Sequence, residues 1–308
     1  MQIVNELAIR LALFYVFIAF GFLVSRVERI KKPLNKWVTF ALINIMMPLI
    51  IIDTMLSAAP ASLYELVGIA LFTVLIHLLG FILMLTILRG KEIEKSEKGS
   101  HLLTVTFNNG IFLPLPLTLI FIGEIGIPVI AIYSISQMIL LATLGTFMAA
   151  AYSSNGDNKG GMIKKVLTFP PLIAAAIGLI LLLSGFSFPT EFDSFFDGNG
   201  IVTTYLALFA VGLSLGMQSK IKLSRLSYNT IAIRQFIVPI VVGIILLAAG
   251  FSAVTRNVIL LQAMMPPAVF TVIYASALGL DAETAATNIT LGTILLLPVV
   301  LLMPWIFI

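Results

Sequence analysis

The sequence predicts an all-α membrane protein with ten transmembrane helices, and three observations support this fold class. First, 60% of the 308 residues are hydrophobic and only 10% are charged, whereas a soluble protein carries about 25% charged residues. Second, the apolar residues form ten runs that are each long enough to cross the hydrocarbon core of a bilayer. Third, prolines interrupt two of these runs in mid-span, at corresponding places in the two halves of the chain.

The ten predicted spans follow one another along the whole chain and are joined by short polar loops. A span needs roughly 17 to 25 predominantly apolar residues. The ranges that meet this rule are 5–25, 34–57, 62–89, 100–122, 125–153, 165–186, 199–217, 227–250, 254–279 and 283–307. The loops between them leave little room for a separate soluble domain.

Lysine and arginine gather in the loops that follow the odd-numbered spans. These loops and their edges contain Arg26, Arg29, Lys31, Lys32, Lys36, Arg89, Lys91, Lys95, Lys98, Lys159, Lys164, Lys165, Lys220, Lys222 and Arg225. Basic loops stay on the cytoplasmic side of a membrane. We therefore predict a multi-pass protein of the cytoplasmic (plasma) membrane with both termini on the outer side, although the last inner loop, around Asp281, has no basic residue.

The position of the central polar loop predicts an internal repeat. Five spans precede the loop at 154–164 and five follow it. An odd number of spans per half inverts the second half relative to the first, as in inverted-topology repeats. We predict a first five-helix repeat at 1–153, a cytoplasmic linker at 154–164 and an inverted second repeat at 165–308, with the interrupted spans 4 and 9 at equivalent positions.

The two interruptions are the strongest sequence indication of a binding site. Proline removes a backbone donor, so each span should unwind near its middle. Unwound backbone is tolerated at membrane depth only where it faces protein or a wet cavity, and half-helix ends attract ions. The predicted substrate-binding residues are Asn108, Asn109, Gly110, Pro114 and Pro116 in span 4, and Gln262, Pro266 and Pro267 in span 9. The alternative is that the amide side chains only satisfy the freed backbone groups.

Five further polar residues are candidates for substrate contact or ion coupling, because polar groups at membrane depth are often functional. His77 can titrate near neutrality, which suits proton coupling. Arg234 can counter a substrate carboxylate, or extend its charge to the inner surface. Gln137 and Asn288 can ligate sodium through their oxygens, or bond neighbouring helices. Asn44 can face the interrupted spans from a neighbouring helix.

Five sequence motifs, taken in their order along the chain, resemble the auxin efflux carrier family, which belongs to the superfamily of bile acid and arsenite transporters. They are Asn108-Asn109-Gly110 with Pro114-Leu115-Pro116, Phe169-Pro170-Pro171-Leu172-Ile173-Ala174, Leu208-Phe209-Ala210-Val211-Gly212-Leu213-Ser214-Leu215, Ala263-Met264-Met265-Pro266-Pro267-Ala268-Val269, and Asn288-Ile289-Thr290-Leu291-Gly292-Thr293 with Leu297-Pro298.

The resemblance implies more than the residues alone predict. It implies that helices 4 and 9 cross at their unwound centres. It also implies a scaffold domain of helices 1, 2, 6 and 7 and a moving transport domain of helices 3–5 and 8–10. Such proteins carry small carboxylates or other organic anions by an elevator-type motion, and they are dimers.

Several function classes are disfavoured by what the sequence lacks. There is no cysteine, and no glycine-rich phosphate loop ending in Gly-Lys-Ser/Thr. The two histidines, His77 and His101, are too far apart for a metalloprotease motif. An aspartyl site would need two aspartates at membrane depth, and only Asp53 lies within a predicted span. We therefore expect no enzyme, no metal and no cofactor, with coupling to Na⁺ or H⁺ left open.

The expected partners are a small organic anion, membrane lipid and a second copy of the chain, and not nucleic acid. A secondary transporter of organic anions is the main hypothesis. A sodium-coupled symporter of the bile-acid type is the alternative within carriers, and a channel is the alternative outside them.

Overall fold

The computed structural model describes residues 2–57, 63–153, 168, 170–217, 223–277 and 279–307. Within these ranges the regular secondary structure is helical, apart from a single isolated β-bridge. The predicted linker at 154–164 lies outside the described residues.

Sixteen helices follow one another along the described chain. The first eight are α1 (Gln2–Val24), α2 (Glu28–Ala41), α3 (Met47–Ser57), α4 (Leu63–Leu88), α5 (Lys95–Thr106), α6 (Pro114–Phe121), α7 (Ile127–Leu140) and α8 (Thr146–Tyr152). The others are α9 (Pro170–Leu183), α10 (Asp193–Met217), α11 (Arg225–Ala232), α12 (Val238–Ala248), α13 (Ala253–Met264), α14 (Phe270–Ala277), α15 (Ala282–Val300) and α16 (Pro304–Phe307).

Three pairs of these helices continue into each other through a π-helical turn. The turns are Leu42–Met46 between α2 and α3, Leu141–Gly145 between α7 and α8, and Ile233–Ile237 between α11 and α12. A π-turn inserts a residue into the helical ladder and is frequent at functional sites. The turn at Ile233–Ile237 carries Arg234, one of the candidate residues.

Six helical stretches within the described residues are long and apolar enough to cross a membrane, which confirms an all-α membrane protein. They are Glu28–Asp53, Tyr64–Leu88, Glu124–Gly145, Thr190–Met217, Arg225–Ala248 and Ala282–Val300. Helices also lie in the four other predicted ranges, but α1 has a shorter apolar stretch, Ile9–Val24, and spans 4 and 9 are divided into short helices. That all ten ranges cross the membrane, as an inverted repeat, stays a prediction.

The chain divides into two compact units that do not coincide with its two halves. The first unit comprises Met1–Ala61, Ile111–Ala131 and Thr168–Ser219. Within this unit α1 packs along α10, and Val38 of α2 lies in the same hydrophobic core as Leu213 of α10. The backbones of α1 and α10 approach closely because Gly21 and Gly212 have no side chains: a Cβ at Gly212 would collide with the carbonyl oxygen of Ile18.

The second unit comprises Ser62–Gly110, Ile132–Leu167 and Lys220–Ile308. In this unit α5 packs between α4 and α15, and α12 packs against α13. Helix α5 is buried from Gly99 to its last residue, Thr106, although it contains serine, threonine and histidine. The second unit therefore holds a polar interior whose groups must be paired or bind a ligand.

Candidate functional site

Both proline-containing spans unwind, as the sequence predicts. Helix α5 ends at Thr106, and the next helix of that span, α6, starts at Pro114. Helix α13 ends at Met264, and α14 starts at Phe270. Each span therefore has a break of several residues.

The two breaks pair with each other through their backbones inside the second unit. The N–H of Asn109 donates to the carbonyl oxygen of Pro266 at 2.7 Å, and the N–H of Ala268 donates to the carbonyl oxygen of Phe107 at 2.9 Å. Asn108 and Pro267 face each other as an antiparallel bridge. This pairing satisfies part of the backbone that the breaks release, as buried backbone requires.

The side chain of Asn108 connects the two breaks through hydrogen bonds. Its amide nitrogen donates to the carbonyl oxygen of Gln262 at 3.0 Å and to the side-chain oxygen of Gln262 at 3.1 Å. Its side-chain oxygen accepts a hydrogen bond from the hydroxyl of Tyr133 at 2.7 Å. Asn108 is fully buried. The residue thus satisfies freed backbone, which is the alternative role that the sequence left open.

Two glutamines complete this network around Gly110. Gln262 donates from Nε2 to the carbonyl oxygen of Gly110 at 3.0 Å, and Gln137 donates from Nε2 to the carbonyl oxygen of Asn108 at 2.6 Å. Ser134 also lies 3.3 Å from the oxygen of Gly110. The Oε1 of Gln137 is buried and has no hydrogen-bond partner among the described residues. The Oε1 of Gln137 lies so close to Gly110 that a Cβ on residue 110 would collide with this oxygen.

Arg234 is a fully buried cation beside the breaks. Its Nη2 donates to the carbonyl oxygen of Ala263 at 3.0 Å, and its Nη1 lies 3.5 Å from the carbonyl oxygens of Val105 and Thr106. Within the described chain no carboxylate pairs with it, and its Nε has no partner. The side chain therefore does not extend to the inner surface, which was the other interpretation of Arg234.

His77 is the second buried ionisable group at this place. Its Nδ1 donates to the carbonyl oxygen of Thr73 at 2.6 Å, because a carbonyl only accepts. The ring contacts those of Phe107 and Tyr133, with centroid distances of 5.3 and 5.9 Å. Its Nε2 has no partner among the described residues, so a neutral His77 presents one bare acceptor beside the first break.

Asn288 lies in a separate polar cluster of the second unit. Its Nδ2 is 2.8 Å from Oγ1 of Thr104 and 3.2 Å from Nδ1 of His101, and that Nδ1 is 2.9 Å from Oγ1 of Thr230. From the sequence, His101 was weighed only as a metal ligand, and this cluster was not predicted. A signal was available, since Glu97, His101, Thr104 and Asn108 recur at the spacing of one helical face.

The other candidate residues lie elsewhere or have backbone roles. Asn44 is in the first unit, where it is exposed and donates to the carbonyl oxygen of Phe40 at 2.9 Å in its own helix. Pro114 and Pro116 are buried in the first turn of α6 in the same unit, where proline fits because the N–H groups have no helical partner. Pro266 and Pro267 are buried in the second break. No group of histidine and acidic residues in the described chain has the geometry of a metal site.

Comparisons with known proteins agree with the transporter hypothesis. A family model described as membrane transport protein matches residues 158–304. The chain is 27% identical to an uncharacterized transporter of Methanocaldococcus jannaschii over 233 residues, which is 73% of this chain and 75% of the relative. It is 22% identical to the uncharacterized transporter YfdV of Escherichia coli over 54% of each chain. It is also 27% identical to the probable auxin efflux carrier component 9 of rice (Oryza sativa), over 44% of this chain and 34% of that one.

Proposed function

We propose that this chain, which is similar to membrane transporters and to auxin efflux carriers, is a secondary transporter of small organic anions. The observation that carries the proposal is Arg234, a fully buried guanidinium without an acidic partner in the described chain, placed at two paired helix breaks. The proposed cargo is a small carboxylate that crosses the cytoplasmic membrane, by uptake or efflux.

The charge of Arg234 favours an anionic ligand. An isolated buried charge is costly, and an opposite charge of good geometry offsets that cost. Apart from Arg234, the side chains that hydrogen-bond at the breaks are neutral, and they include Asn108, Tyr133, Ser134, Gln137 and Gln262. A guanidinium suits a carboxylate because its N–H groups match the two carboxylate oxygens. The bare Nε2 of His77 and the Oε1 of Gln137 offer acceptors to hydroxyl or amide groups of the same ligand.

We assign the transport step to elevator-type alternating access. The pairing of the breaks, the amide network and Arg234 all lie within the second unit. A binding site contained in one compact unit can travel with that unit as a rigid body. This proposal includes a homodimer in the cytoplasmic membrane, with both termini outside, as the loop charges and the family resemblance predict.

A thermal-shift screen of the purified full chain tests the ligand class. Small mono- and dicarboxylates are added with sodium and, separately, with choline as the cation. A ligand that binds the folded state raises stability by RT ln(1 + [L]/Kd), about 2.7 kcal/mol at 100 times Kd. We expect a subset of carboxylates to raise the Tm, and uncharged amides of the same acids to leave it unchanged. Equal shifts with acids and amides, or none with any acid, would contradict an anion site. A shift that appears only with sodium would favour the bile-acid-type symporter.

A further inference from the structure

Within the described chain, the hydrogen bonds of the Arg234 guanidinium all go to carbonyl oxygens at the ends of two helices. Val105 and Thr106 are the last two residues of α5, and Ala263 is the last but one of α13. The final carbonyls of a helix have no partner within it, and a helix C-terminus carries about half a negative charge. One side chain therefore faces two partial negative charges.

Proline in the second break explains why the carbonyl oxygen of Ala263 needs a donor from another segment. In a continuous helix Ala263 would accept from the residue four positions on, but that residue is Pro267, which has no N–H. The same holds for Gln262 and Pro266. Other segments supply donors to both oxygens: Arg234 donates to Ala263, and Asn108 donates to Gln262, which also accepts from the N–H of Met265 at 3.2 Å.

Carbonyl oxygens at half-helix ends are also the usual ligands of a coupling cation. In transporters with broken helices, such oxygens coordinate sodium near the middle of the membrane. In this protein the guanidinium of Arg234, a cation that is part of the chain, is hydrogen-bonded to three such oxygens. No acidic side chain of the described residues pairs with Arg234 to balance a further cation at the same place.

We propose that Arg234 is a built-in substitute for a coupling cation, so that anion binding at the breaks does not require sodium. For the anion, this inference rests on the proposed function. The guanidinium compensates the two helix ends permanently, while its free Nε–H remains for the ligand. The single positive charge selects a ligand with one negative charge at this position.

Removal of the side chain should convert a sodium-independent protein into a cation-dependent one. The thermal stability of the full chain in detergent is measured in sodium chloride, in choline chloride and in choline chloride with methylguanidinium, at equal ionic strength. We expect the same Tm for the wild-type protein in all three. Arg234→Ala should be less stable in choline, by at least about 3 °C, and should recover part of the loss with sodium or methylguanidinium.

Two variants serve as controls. Arg234→Lys keeps a cation on the same helix and should remain insensitive to sodium. Arg10→Ala removes an exposed arginine that also donates to a backbone carbonyl, that of Leu119 at 2.8 Å, and methylguanidinium should not restore any loss it causes. If Arg234→Ala does not fold, Arg234→Gln and the wild-type comparison between sodium and choline still decide the question.

Three results would overturn the inference. The first is a sodium-specific rise in the Tm of the wild-type protein. The second is a loss in Arg234→Ala or Arg234→Gln that neither cation restores, which a purely structural tie between the two helices predicts. The third is a carboxylate shift that needs sodium, which would leave the proposed function intact. If no carboxylate binds at all, the proposed function fails, and the cation measurements still test the role of Arg234.

Discussion

At the scale of single residues, the site is organised by carbonyl oxygens that proline deprives of their usual helical donor. Pro266 and Pro267 cannot donate to Gln262 and Ala263. Distant side chains donate to both oxygens, and Gln262 also accepts from the N–H of Met265. Asn108 therefore has a backbone-supporting role whether or not it also contacts a ligand. An asparagine suits this position because its side-chain amide can donate to Gln262 and accept from Tyr133 at the same time.

Replacement of Asn108 tests this role. Asn108→Ala leaves the Gln262 carbonyl and the Tyr133 hydroxyl without this partner, and an unsatisfied buried group costs about 1–3 kcal/mol. We expect a clearly lower Tm by thermal unfolding in detergent.

Asn44→Ala is the matched control for that variant. Its amide is exposed and makes a local bond to Phe40, so its loss should stay within about 0.5 kcal/mol. Equal losses in the two variants would show that the Asn108 network does not stabilise the breaks.

At the scale of helices, the sequence predicts breaks better than partners. Proline positions place both interruptions, because the loss of an N–H is a local effect. The π-turn at Ile233–Ile237 has no comparable local signal. The bond from Asn108 to Gln262 joins residues 154 positions apart, and helical periodicity carries no information on such pairs. For the same reason the sequence identifies Arg234 as a candidate, but it does not identify the two helix ends to which the guanidinium donates.

Close packing of α1 and α10 provides a second test at this scale. A Cβ at Gly212 would collide with the backbone of Ile18, whereas a Cβ at Gly198 in the same helix meets nothing within 4 Å. Gly212→Ala should therefore destabilise the protein by about 1–3 kcal/mol, since the helices must separate.

Gly198→Ala is the same substitution in open space. It should be neutral or stabilising by up to about 1 kcal/mol, because alanine favours a helix over glycine. Thermal unfolding of the two variants side by side gives the comparison. A Gly212→Ala protein as stable as Gly198→Ala would mean that the two backbones are not in contact.

At the scale of the whole molecule, the two compact units cut across the two halves of the sequence. Each unit draws segments from before and after the central loop. Spans 1, 2, 6 and 7 fall in the first unit, as the family resemblance implies for a scaffold, but residues 111–131 of spans 4 and 5 fall there too. The backbone pairing of the breaks and the amide network lie in the second unit, whereas residues 111–113 of the first break fall in the first unit. In the proposed elevator motion the ligand would travel with the second unit.

Arg234 is the cation that holds the carried anion in the proposed transport mechanism. The direct test is counterflow in proteoliposomes, with a radiolabelled carboxylate that the thermal-shift screen identifies. We predict that unlabelled carboxylate inside the vesicles accelerates uptake of the label, with or without sodium. We also predict that Arg234→Gln lowers this uptake at least about tenfold, as expected when a bond worth 1.4 kcal/mol or more is lost. Uptake that unlabelled substrate does not accelerate, or that Arg234→Gln leaves unchanged, would contradict the account.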